Sequence, residues 1–216
     1  MIFHQFTLKH YLAFAILFLA ITIASINPLE FESYLLHQVG TILMLVVLVL
    51  VQKKYGLSFF SFCSYLLFLL IHVIAAHYLY SYVPYDEWFK QYFGFSLNRY
   101  MGWDRNMYDR LVHFCYGLLL FPFFYRIFQY FFPETSRAKR LFLVVQFVMA
   151  SSLFYEWVEW YLALSLSPED AEKYNGQQGD PWDAHQDMLC ATIGTFIACG
   201  LYLLIMPSLK QVSVSN

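Results

Sequence analysis

Apolar residues fill six stretches of this chain, 11–26, 34–51, 56–80, 108–132, 141–166 and 182–206, and most of the charge falls at their ends or between them. A helix needs about 20 apolar residues to cross a ~30 Å hydrocarbon core. The pattern therefore predicts an all-α, polytopic membrane bundle of six transmembrane helices, a single integral domain over residues 1–216. The first run is short and follows Lys9 and His10, so a signal peptide is the alternative. A small-x-small cleavage site is poorly formed at Ile23, Ala24 and Ser25, and more spans follow, which favours a retained anchor. Pro122 predicts a kink or local repacking in the fourth span.

The longest connection, 81–107, has a pattern of its own. Tyr85, Trp88, Phe89, Tyr92 and Phe93 recur at helical spacing, with Asp86, Glu87, Lys90 and Gln91 between them. This suits either a helix lying in the membrane interface or an ordinary aromatic belt. The composition agrees with a bilayer setting: 60% hydrophobic, 21% aromatic and 13% charged. A formal net charge of −2, with no basic patch, gives no case for a nucleic-acid partner. Cys63, Cys115, Cys190 and Cys199 all fall within predicted spans and form no CxxC pair, so they read as buried thiols.

Orientation follows from the basic residues. Lys9, Lys53, Lys54, Arg126, Arg137, Lys139, Arg140 and Lys210 sort to one side, and Lys90, Arg99, Arg105, Arg110 and Lys173 to the other. The excess predicts that both termini are cytoplasmic. Asp109 and His113 then lie in the first turns of the fourth span, and Asp183 and Asp187 in those of the sixth, both entered from the outer face. On the fifth span Glu156 lies about 16 residues beyond Arg140, ~24 Å of rise, and so falls near the same face with Glu159. Each pair is three or four apart and shares a helix side. Three helices are expected to present acids at one level.

Part of this pattern has a plainer explanation. Asp180 before Pro181 reads as an N-cap with proline at the first helical position and Asp183 at the third, and Asn106 with Asp109 repeats the arrangement. Capping does not account for Glu156, Glu159, Asp187 or His113, which lie inside their helices. An ionised carboxylate in hydrocarbon costs on the order of 2 to 3 kcal/mol or more, so these groups call for a cavity, a partner or an ion. His72, at a similar depth on the third span, is a further candidate, although a lone histidine among apolar residues is more often structural.

Acids gathered in this way require protons, arginines or a cation, and Arg105 and Arg110 are the nearest basic groups. An oxygen-rich set with histidine suits Mg, Mn or Ca, with Zn or Fe if histidine coordinates. Paired carboxylates on membrane helices also suit proton-coupled transport. No HxxxH box, GxSxG, Walker loop or CxxC is present.

Three segments carry a resemblance: RNMYDRLVHFCYG at 105–117, FYEWVEW at 154–160 and QGDPWDAHQDMLCATIG at 178–194. In this order they closely resemble the YjdF family of bacterial inner-membrane proteins, a domain of unknown function. The resemblance implies a multi-span inner-membrane protein and carries over Asp109, Arg110, His113, Glu156, Glu159, Asp180, Asp183 and Asp187. Ala184, His185 and Gln186 depart from the family's Thr-Gln-Trp, which weakens His185 as a metal ligand, and Val112 replaces a usual glycine. A more distant likeness is to the VanZ family, associated with teicoplanin resistance, where Gln and Asn are preferred at the positions of Glu159 and Asp187.

The expectation is a site near the outer face that binds a divalent cation at Asp109, His113, Asp183 and Asp187. Arg105, Arg110 and Asp180 would act as charge partners or bind a head group. Through the cation the site would take a phosphate-bearing lipid or a lipid-linked envelope precursor, with Glu156 or Glu159 as general base. The alternatives are a proton- or cation-coupled transporter and a structural or assembly factor.

Overall fold

Long apolar stretches with few breakers leave the backbone one way to satisfy its own hydrogen bonds in a bilayer, and the chain takes it. The computed structural model describes residues 4–205, apart from the side chains at 172 and 173. Lys210, the side chain of Lys173 and the end of the sixth apolar run lie outside the described residues. The elements are α1 (Leu8–Ala24), α2 (Phe31–Tyr55), α3 (Phe59–His77), α4 (Tyr85–Phe93), α5 (Leu97–Met101), α6 (Tyr108–Phe131), α7 (Arg137–Ser165), α8 (Pro168–Asn175) and α9 (Asp183–Ile205). Among the described residues, α2, α3, α6, α7 and α9 are long and apolar enough to cross a membrane, while α1 is a shorter apolar helix of 17 residues.

Local chemistry sets several boundaries. Ser58 and Ser136 cap α3 and α7 by accepting the N–H groups of Ser61 and Lys139, and Gly56 and Gly94 end α2 and α4 with positive φ. The aromatic-rich part of the long connection is a helix, α4, which Asp86 ties to α5. Its carboxylate pairs with Lys90 at 2.8 Å and accepts from Ser96 and the Asn98 N–H. These contacts, led by Lys90, hold the Asp86 carboxyl down to about 2. The acidic 167–180 connection contains α8, which polarity alone did not indicate. Pro122 leaves α6 continuous, and the Ser64 hydroxyl of α3 donates to the Leu119 carbonyl one turn before it at 2.6 Å.

α3 is the most enclosed span, packed by α1, α2 and α6, and α6 pairs most extensively with α9. The α6–α9 contact is backbone against backbone. A Cβ on Gly117 would lie 1.9 Å from the Ala191 carbonyl oxygen, and one on Gly194 would lie 2.1 Å from that of Phe114. Small residues that let membrane helices touch are a known mode of association, and here they bring the first turns of both helices together.

Different basic residues tie the two ends of the bundle. At one end the His4 N–H donates to the Lys53 carbonyl, Arg126 to the carbonyls of Tyr55 and Gly56, and Arg140 to that of Thr135. At the other, the His77 ring donates to the Ala24 carbonyl and Arg105 reaches across to the start of α9.

Candidate functional site

The site is built where α6, α7 and α9 converge. Each helix contributes side chains one turn apart, which stack on one face: Asp109 with His113, Glu156 with Glu159, and Asp183 with Asp187. All six are buried. The connections on either side are clamped to one another, since the Gln178 side chain accepts from the Asn106 N–H and donates to the Asn106 carbonyl, both at 3.0 Å. Gly176 lies beside Ser81 and close to the Asp109 carboxylate.

The capping reading changes in detail. α9 starts at Asp183 rather than Pro181, and Asp180 accepts the Trp182 N–H at 2.9 Å, two residues on. Asn106 accepts the Tyr108 N–H at 3.0 Å in the same way. These are Asx turns that lead into the helices, favoured because a short side-chain oxygen reaches the backbone two residues ahead. The Trp182 N–H, followed by the two guanidinium groups, holds the Asp180 carboxyl below the usual carboxylate range.

Arg105 and Arg110 organise the acids of α9. Arg110 donates to Asp183 at 2.8 Å, Asp180 at 3.1 Å and Asp187 at 3.1 Å, and to the Asp183 carbonyl at 2.9 Å. Arg105 donates to Asp183 at 2.8 Å, Asp180 at 3.3 Å and the Gly176 carbonyl at 3.0 Å. A planar guanidinium serves several acceptors at once, which a lysine cannot do.

Behind this layer, ligand atoms of Asp109, His113 and Asp187 lie within 4.8 Å of one another, all three residues buried. His113 Nε2 is 3.7 Å from Asp109 Oδ1. Asp183 stands beside the group, with one oxygen taken by both arginines. Glu156 and Glu159 lie within electrostatic reach of Asp183 and Asp187, and Glu159 also of Asp109. Glu156 Oε1 is buried without a hydrogen-bond partner. Two guanidinium groups thus meet Asp109, Asp180, Asp183, Asp187, Glu156 and Glu159, and the imbalance demands protons or a cation.

Several residues around the site had no sequence signal. Tyr80, Tyr155 and Tyr174 border the carboxylates, but in a chain with 18 tyrosines none stood out. Leu79 and Tyr80 both have positive φ, a turn that directs Tyr80 back into the bundle, where its hydroxyl meets His72 Nδ1. His72 also donates to the His37 carbonyl at 3.3 Å and so belongs to a separate His72–Tyr80–His37 group. His185 is exposed, edge-on to Trp182, away from the acids.

The fold and this buried cluster define a polytopic membrane protein with a charged site enclosed by three helices. Residues 9–207 match the family described as "Predicted membrane protein (DUF2238)", and the chain belongs to that family. It is 30% identical over 162 residues, 75% of this chain and 73% of the relative, to "Inner membrane protein YjdF" of Escherichia coli (strain K12). It is accordingly an inner-membrane protein. No solved structure matches the chain.

Proposed function

We propose that the cluster holds a divalent cation on Asp109, His113 and Asp187, with Asp183 adjacent, and through it engages a phosphate-bearing lipid or lipid-linked envelope precursor. The observation that carries this reading is the convergence of three ligand atoms from α6 and α9 within 4.8 Å, in a buried site whose acids exceed its arginines. Two carboxylates and one imidazole suit Mg or Mn, and admit Zn. Glu156, with a free buried oxygen, is the better placed of the α7 acids to take a proton from water, and Glu159 can relay it. Whether the bound lipid is hydrolysed, transferred or only held follows from turnover.

The test is metal content of the detergent-purified protein, measured by elemental mass spectrometry after purification in metal-supplemented buffer. Wild type should carry stoichiometric metal. An Asp109→Asn, His113→Gln double variant should lose it, and Asp183→Asn, which changes mainly the arginine contacts, should retain most of it. Absence of metal from folded wild type would end the reading.

A rival, proton-coupled transport, draws support from one feature. Tyr155 is hydrogen-bonded to Tyr174 beside Glu159, and Tyr174 stacks on His37 at 4.5 Å, so hydroxyls and imidazoles continue away from the carboxylates. Flux driven by a pH gradient in metal-free proteoliposomes would favour it.

A further inference from the structure

α2 and α7 both flank α6, yet neither packs substantially on the other. Between them lies a cavity of about 500 Å³ whose lining is mainly apolar, with Val39, Gly40 and Leu43 on one wall and Val158 and Leu162 on the other. Val39, Leu43 and Phe154, at its margin, are exposed on the apolar outer surface of the bundle. The cavity therefore faces the hydrocarbon sideways, not the solvent. Its inner wall includes His113 and Tyr155, which border the carboxylate cluster.

Two of the polar residues in this lining have buried side-chain atoms without hydrogen-bond partners. His37 is 2% exposed and neither of its ring nitrogens has a hydrogen-bond partner; Ser152, across the cavity on α7, is 3% exposed with its hydroxyl unpartnered. Leaving such groups buried and unpaired is unfavourable. An apolar cavity of this size admits hydrocarbon, and unpaired groups on facing walls favour an occupant that also carries oxygen.

We propose that this cavity takes one hydrocarbon chain of a membrane lipid, entering sideways between α2 and α7, with an ester or hydroxyl oxygen of the lipid near His37 and Ser152. A cavity of about 500 Å³ has room for a long hydrocarbon chain. The chain lies against His113, which brings the head-group end of the lipid toward the carboxylate cluster. The inference shares with the proposed function only its lipid, and does not need the cation.

Gly40 provides the means to test it, because a Cβ built there meets nothing within 4 Å, so a larger side chain enters the open space without displacing a neighbour. The protein is reconstituted in nanodiscs containing a phosphatidylethanolamine with a diazirine-bearing acyl chain, irradiated, and mapped by peptide mass spectrometry. Labelling in wild type should concentrate at 36–44 and 151–162, several-fold above the lipid-facing surface of α1. Gly40→Phe should reduce that excess at least fivefold while leaving α1 labelling unchanged, and Val158→Trp, filling from the other wall, should do the same. His37→Phe, which keeps the ring and removes both nitrogens, should weaken it by a smaller factor.

Equal labelling of α1 and the cavity walls, or an excess that persists in folded Gly40→Phe and Val158→Trp proteins, would overturn the proposal. An Asp109→Asn, Asp187→Asn variant, which changes two proposed ligands and no cavity wall, separates the two ideas. It should lose metal and keep the cavity labelling; labelling lost with both cavity walls intact would sink the chain pocket as a separate site.

Discussion

Arg110 is the residue on which the site's electrostatics turn. It is buried, and its fork holds Asp180, Asp183 and Asp187 together at 2.8 to 3.1 Å. Removing one partner of a buried ionic set strands the others, at a cost of about 3–5 kcal/mol. Arg110→Ala should therefore lower unfolding stability in detergent by that order, measured by chemical denaturation, with Arg105→Ala costing clearly less because its side chain remains partly exposed. Arg110→Lys should recover only part of the loss, since one ammonium cannot serve three carboxylates. Equal costs for the two alanine variants would refute Arg110 as the organiser. The acids were legible in the sequence because carboxylates within apolar helices are costly and therefore conspicuous. The pairing was not, since the arginine contacts bridge 70 positions or more.

At the scale of elements, the α6–α9 crossing depends on the absence of two side chains. Gly117 and Gly194 appeared in the sequence only as the ends of recognisable motifs, yet a methyl group at either would collide with the facing helix backbone. Overpacking in a close-fitted core typically costs 1–3 kcal/mol, and backbone contacts as short as these should reach at least the upper part of that range. Gly117→Ala and Gly194→Ala should each lower the thermal midpoint and reduce metal retention, because separating the helices moves Asp109 and His113 away from Asp187. Gly40→Ala is the control: its Cβ meets open space, so it should be neutral or stabilise by up to about 1 kcal/mol through helix propensity. A destabilised Gly40→Ala beside unaffected Gly117→Ala would reverse the assignment. Helix periodicity alone could not distinguish these glycines, as all three sit in apolar runs.

For the whole molecule, the sorting of basic residues along the chain has a spatial counterpart. Lys53, Arg126 and Arg140 gather at one end of the bundle, and the carboxylate site lies toward the other, where Arg105 meets α9. The positive-inside rule predicts that the first end is cytoplasmic and, with it, that the site lies toward the outer leaflet. A reporter fluorescent only in the cytoplasm should be active when fused to the C-terminus. A cysteine at Tyr92, exposed on α4, should react with a membrane-impermeant maleimide from the periplasmic side. The opposite pattern would move the site to the cytoplasmic leaflet and with it the class of lipid it could meet.

The sequence alone was enough for the membrane class, the all-helical architecture, the approximate helices and the three polar pairs on α6, α7 and α9. These follow from composition and from periodicities of three and four, which act within one helix. It did not determine where α9 begins, the helix hidden in the acidic connection, or which carboxylates the arginines hold. Those depend on tertiary context, because a cap and an ion pair are settled by which backbone or charge arrives from another segment. The cavity between α2 and α7, and the unpartnered nitrogens of His37 beside it, belong to the tertiary structure alone. An empty space is a property of how helices pack, and no single stretch of residues encodes it.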